Sequence, residues 1–142
     1  MTVRVERSFE LPVGRERIWE FISDPGRRAG AISVVSEYEV HGDGSATWHL
    51  DLPIPVVNTT VAVETEDEEV RPPEYVRFVG RSTVMDVVGE HELVELEGGT
   101  RVVNTFVVDG RLPGVERFFR RNLDAELDNL EQALIDDFEV EV

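Results

Sequence analysis

The chain contains no cysteine and no lysine, few aromatic residues (8%), and no apolar run near the ~20 residues a membrane-spanning helix needs. The missing cysteine excludes a disulfide scaffold, a thiolate metal site and a cysteine nucleophile. No charged-then-apolar leader opens the chain, so no export signal is expected. All of the 14 basic residues are arginine, set against 30 acidic ones, for a formal net charge of −16. Such a chain has no basic footprint for a phosphate backbone, so nucleic acid is not an expected partner. Electrostatic docking on an anionic membrane is excluded on the same ground. Sequence signatures of catalysis are missing too: there is no HExxH, GxSxG, P-loop or GxGxxG. His41, His49 and His91 stand at no metal-ligand spacing, so neither a metal nor a cofactor is expected.

What remains is a chain of 142 residues, 41% of them hydrophobic and 24 of them valine. That length fits one domain, residues 1–142, burying roughly two-thirds of its surface around a single core. The valine content points to a sheet-rich fold rather than an acidic disordered chain. Charge is distributed unevenly. Residues 1–30 carry six arginines and five acids (+1), and residues 31–142 carry eight arginines and 25 acids (−17). The acids fall on outward strand positions such as Glu37, Glu39, Glu90 and Glu92 and on the polar side of the last helical segment. A carboxylate coat without lysine is expected of a cytoplasmic protein from an extreme halophile, where molar salt screens the repulsion. The rival reading is an acidic face for a basic partner.

Period-two alternation in residues 2–11 places Val3, Val5, Phe9 and Leu11 on one face, with Arg7 intruding on that apolar side. Pro12 and Gly14 end this strand. Residues 15–24 space Ile18, Phe21 and Ile22 as a helix does, and Pro25–Gly26 lead into a second short turn through 27–31. Strands are expected over 33–41, 46–52, 56–66, 74–82, 86–97 and 101–109, with turns at Gly42–Asp43–Gly44 and Gly98–Gly99. The PIP step at 53–55 should break a strand, and the acidic run 64–69 with Pro72–Pro73 is expected to be a loop. After Pro113, Val115, Phe119, Leu123, Leu127, Leu130 and Leu134 recur every three or four residues, predicting a long amphipathic helix to about Asp137 and a frayed end.

Sequential hairpins make an antiparallel sheet with one face to cover. Seven strands at ~4.8 Å span roughly 34 Å, whereas one helix is about 10 Å wide. The sheet must curl around the helix, with Gly80 and Gly89 as places to bend. The expected fold is α+β, a curved antiparallel sheet of about seven strands around a long C-terminal helix, with two short helices after the first strand. A valine-lined hollow with few aromatics is hard to fill, so an internal cavity for a small apolar ligand is expected.

The residues expected to line it are Arg7, Tyr38, Trp48, Leu50, Phe78, His91, Asn104, Phe106, Phe119, Leu123, Glu126, Leu127 and Leu130. His91 shares its alternation set with Val87 and Leu93, and Asn104 shares its own with Val102, Phe106 and Val108. They are polar groups in an apolar wall, either structurally satisfied or aimed at a ligand; Ser36, Tyr38 and Thr59 are further candidates. Arg7 and Glu126 must pair, reach the rim or bind something, because a lone buried charge is expensive. His49 and Asp51 share the solvent-facing side of their strand. Arg27–Arg28 and Arg117, Arg120 and Arg121 read as solvated faces or as the rim of a cavity mouth.

The segments FELPVGRERIWEFISDP (9–25), GDGSATWHLDLPIP (42–55), PPEYVRFVG (72–80) and ELEGGTRVVNTFVVDGRLPG (95–114), with the terminal helix, resemble the helix-grip START/polyketide cyclase-like (SRPBCC) superfamily. Within it the chain is most similar to the G-type proteins of carbon monoxide dehydrogenase, without the apolar C-terminal segment of their longer members. The resemblance implies binding or transport of a lipid, isoprenoid or quinone-like ligand in the cavity. Two alternatives accompany it. One is a polyketide cyclase/dehydrase-type enzyme using His91, Tyr38 and Asn104; the other is a scaffold or accessory protein with a vestigial cavity.

The acidic coat makes a prediction of its own. Between dilute buffer and ~3 M KCl the melting temperature should rise as screening relieves self-repulsion. A sharp transition at one temperature in both solutions contradicts a high-salt adaptation.

Overall fold

The computed structural model describes residues 2–52, 60–112 and 114–141. Strand β1 (Thr2–Leu11) is followed by helices α1 (Arg15–Ile22) and α2 (Pro25–Gly30). Six strands then follow: β2 (Val35–Val40), β3 (Ser45–Leu50), β4 (Val61–Arg71), β5 (Tyr75–Arg81), β6 (Met85–Leu96) and β7 (Gly99–Gly110). Helix α3 (Val115–Glu141) closes the chain.

The strands form one antiparallel sheet in the order β1-β7-β6-β5-β4-β3-β2, so the first strand joins the last and the two ends of the order are open edges. This is the helix-grip arrangement expected from the hydrophobic pattern. α3 lies along β1 and β7, α2 covers β2 and β3, and α1 packs on β6. The apolar stripe of α3 is buried from Val115 through Leu134, at three- and four-residue spacing. At 1.5 Å per residue its 27 residues extend about 40 Å, past the end expected at Asp137.

Local chemistry explains the two short helices. Pro25 occupies the first turn of α2, where its missing N–H costs nothing, and the Asp24 carboxylate accepts from the Gly26 N–H at 2.8 Å and from the Arg27 N–H. Gly26 and Gly30 present bare backbone to the Tyr38 ring, letting α2 settle on β2.

One expectation is corrected. The acidic run 64–69 is not a loop, because β4 continues through it to Arg71. Glu64 and Glu66 alternate outward while Thr65 is buried, so the run keeps the period of a strand despite its charge. A bulge between Asp67 and Glu69 then shifts the register against β5. The expectations for the PIP step, Val57 and Thr59 lie outside the described residues.

Cross-strand register assembles the inward face in rows. Val76, His91, Asn104 and Arg7 lie side by side on β5, β6, β7 and β1. The neighbouring row holds Phe78, Gly89, Phe106 and Val5. Gly89 has to be glycine here: a Cβ would fall 2.1 Å from the Phe78 ring, which lies across its Cα.

Candidate functional site

Between the sheet and α3 lies an apolar cavity. Its walls are Trp48 and Leu50 of β3, Val63 of β4, Met85 and Val87 of β6, Phe106 and Val108 of β7, and Phe119 and Leu123 of α3. The segment leading into β2 closes it with Ile32, Val34 and Val35. The space open to the centre of a water molecule is about 30 Å³, room for one or two waters by the ~10–15 Å³ each requires. A larger ligand must widen it.

Glu126 is the one charged group in the lining, and it is 3% exposed. Its carboxylate accepts from the Ser33 hydroxyl at 2.7 Å, the Ser33 and Val34 backbone N–H groups at 3.1 and 3.2 Å, and the Asn129 amide at 2.8 Å. No cation pairs with it among the described residues. Hydrogen bonding alone keeps it in place, and it ties the closing segment to α3.

A second, polar region adjoins the cavity and centres on the Phe78 ring. Trp48, Phe106 and His91 surround that ring, with centroids 5.3, 5.9 and 6.0 Å away, and the Arg28 guanidinium lies over it at 5.1 Å. His91 is 1% exposed, and its Nδ1 lies 2.8 Å from Asn104 Oδ1. With the amide oxygen assigned as acceptor, Nδ1 carries the proton and Nε2 presents a lone pair. Burial, reinforced by the positive charge of Arg28, pushes the His91 pKa down to about 3, so the ring is neutral.

Arg28 is 3% exposed, contrary to its expected place on a solvated face. It donates to Asp67 at 2.6 Å and to the Ile22 carbonyl at 3.2 Å. Burial lowers the Arg28 pKa and raises that of Asp67, in each case against the attraction of the partner. Four nitrogens in this region, His91 Nε2, Asn104 Nδ2, Trp48 Nε1 and Arg28 Nε, are buried with no hydrogen-bond partner in the protein. Each such group costs about 1–3 kcal/mol, so their concentration here calls for a reason.

The thirteen expected lining residues separate into groups. Trp48, Leu50, Phe106, Phe119, Leu123 and Glu126 line the cavity. Phe78, His91 and Asn104 form the polar region beside it, while Leu127 and Leu130 are buried further along α3. Arg7 does not reach the cavity: it leaves the sheet to bind Asp124 at 3.1 Å and Asp128, both on α3. Tyr38 shares a face with Trp48, as its register requires, but it stands on edge strand β2, 45% exposed, against α2. The structure therefore brings His91 and Asn104 together and leaves Tyr38 apart from them. Ser36 is exposed and donates to the His49 carbonyl, and His49 lies 3.7 Å from Glu39. Among the described residues no cluster of His, Cys, Asp and Glu is arranged to hold a metal, and no helix is long and apolar enough to cross a membrane.

Sequence reasoning missed Arg28 and Asp67. Both sit in segments without apolar periodicity, and 39 residues separate them.

A sheet wrapped on a C-terminal helix around a partly apolar, partly polar interior defines a START-type helix-grip domain. The START superfamily protein from Mycobacterium smegmatis superposes with a TM-score of 0.77 at 12% identity, covering 98% of this chain and 99% of that one. ZhuI aromatase/cyclase from Streptomyces sp. R1128 gives 0.68 at 16%, with 96% and 94% covered. A conserved protein from Geobacillus kaustophilus gives 0.68 at 18%, with 98% and 94% covered. No curated protein matches by sequence. The chain belongs to the polyketide cyclase/dehydrase and lipid transport family, whose profile matches residues 2–134.

A buried neutral histidine predicts how stability responds to acid. Below about pH 6.5 the unfolded chain protonates His91 while the folded one does not until about pH 3, so the unfolded state binds more protons and folding stability falls with pH. Asp67, raised in the fold, acts in the opposite sense at the low end of this range. Urea unfolding at pH 7 and pH 4.5 should show the native chain losing about 2–3 kcal/mol more than His91→Gln. Equal losses contradict a neutral buried imidazole.

Proposed function

We propose that the protein binds, and carries or sequesters, a small apolar or amphipathic molecule of the lipid, isoprenoid or quinone class between the sheet and α3. The observation that carries this reading is the cavity itself, whose lining is apolar except for a fully hydrogen-bonded Glu126. A lining of this kind favours apolar ligands and offers them no reactive group. Family membership supports the same reading, since the family is described by lipid transport as well as by cyclase and dehydrase activity.

Binding fits these residues better than catalysis. A histidine held near pKa 3 is a weak base at neutral pH, and Tyr38 is too far toward the sheet edge to act with it. The finer likeness, to the G-type proteins of carbon monoxide dehydrogenase, is part of this proposal and rests on the turns and apolar positions of the sequence. A high-salt cytoplasm is likewise the setting we propose for the acidic coat.

Because the cavity is small, ligand entry has to displace the closing segment or repack the lining. Thermal melts with short-chain quinones, isoprenoid alcohols and fatty acids should show at least one class raising Tm by about 3–8 °C at a hundredfold excess over Kd. Leu123→Ala, which enlarges the cavity, should cost about 2–5 kcal/mol and take longer members of the same class. If no class moves the Tm of either protein, the binding reading fails.

A further inference from the structure

The buried nitrogens around Phe78 carry the binding reading one step further, to the chemistry of the ligand's polar end. We propose that His91, Asn104 and Trp48 form a receptor for a single neutral hydroxyl group, borne by a ligand whose aromatic or apolar body occupies the adjoining cavity, with the Phe78 ring as the partition between the two. This inference rests on the binding reading above and narrows it to hydroxylated, uncharged molecules.

The complement of groups selects a hydroxyl. His91 Nε2 presents a lone pair and needs a donor, whereas Asn104 Nδ2 and Trp48 Nε1 are donors and need an acceptor. A hydroxyl group supplies both. A ketone or ester has no proton for Nε2, and an ammonium has no lone pair for the amide and indole. A carboxylate would face the imidazole lone pair while Arg28, the nearest cation, is already neutralised by Asp67 at 2.6 Å. The site therefore suits a neutral group that both gives and accepts one hydrogen bond.

The fold places this receptor next to the cavity. Trp48 and Phe106 line the cavity and are also ring neighbours of Phe78, while His91 stacks on the far side of the same cluster, its centroid 5.9 Å from that of Phe106. Phe78 is not part of the cavity wall, and it rests on Gly89, where no side chain holds it from beneath. A rotation of one phenyl ring joins the two regions. A ligand ring entering its place meets the same aromatic walls and the Arg28 guanidinium.

Isothermal titration with p-cresol and toluene, which differ by one hydroxyl, tests the assignment on the whole chain. In Phe78→Ala, which removes the partition, p-cresol should bind on the order of tenfold more tightly than toluene, and Phe78→Ala/His91→Leu should abolish or reverse that preference. Toluene binding as tightly as p-cresol to Phe78→Ala overturns the hydroxyl receptor and leaves the apolar cavity standing. If neither compound binds the native chain or the variant, the binding reading falls and this inference with it. Should Phe78→Ala fail to fold, the ¹⁵N resonance of His91 Nε2 in the native chain decides. It should shift on adding p-cresol and stay still with toluene, and an unmoved resonance at the solubility limit of p-cresol overturns the proposal.

Discussion

A seven-stranded sheet is wider than the one long helix available to cover it, and the interior of this protein follows from that mismatch. Seven strands at ~4.8 Å need roughly three helix widths of cover, and α3 contributes one, along β1 and β7. The short helices shield β2, β3 and part of β6. The middle of the inward face is left to its own side chains, which is why the largest of them meet there. Phe78, Trp48 and Phe106 converge over the sheet, and Gly89 gives up its side chain so that the Phe78 ring can lie flat. Even so the filling is incomplete, and the cavity beside Leu123 is what the mismatch leaves behind.

The same region carries the fold's most costly polar groups. A buried ion pair and a buried His–Asn pair contribute little net stability compared with apolar residues of like shape, and several of their nitrogens have no partner in the protein. A core optimised only for stability would use aliphatic side chains here. Glu126 makes an instructive contrast: it is as deeply buried, yet four donors satisfy it, and its role is to fasten the segment before β2 onto α3. One polar cluster is closed on itself and structural; the other is open toward the cavity. This asymmetry assigns the binding function to the Phe78 side.

Much of this was legible in the alternation of single strands. The parity of β1, β6 and β7 put Arg7, His91 and Asn104 on the inward face, and the three- and four-residue spacing of α3 marked its buried stripe. Pairing was not legible, because it depends on register. That His91 lies directly across from Asn104 follows from a two-residue turn at Glu97–Gly98. That Tyr38 is exposed follows from β2 being the last strand of the sheet. Arg28 was hidden for a different reason: α2 is six residues long, too short for any periodicity, and its partner lies in an acidic stretch whose composition resembles a loop while its spacing is that of a strand. Charge composition outweighed period at that point, and period was the better guide.

The central claim is that the incompletely filled interior is occupied by a ligand in the working protein. Native mass spectrometry of the chain purified without denaturation from its own cells tests this most directly. The account predicts a population heavier than the 16.1 kDa chain by the mass of one small neutral molecule, released on acidification and bearing a hydroxyl group. A single species at the bare chain mass, unchanged after incubation with a lipid extract of the same cells, would contradict it.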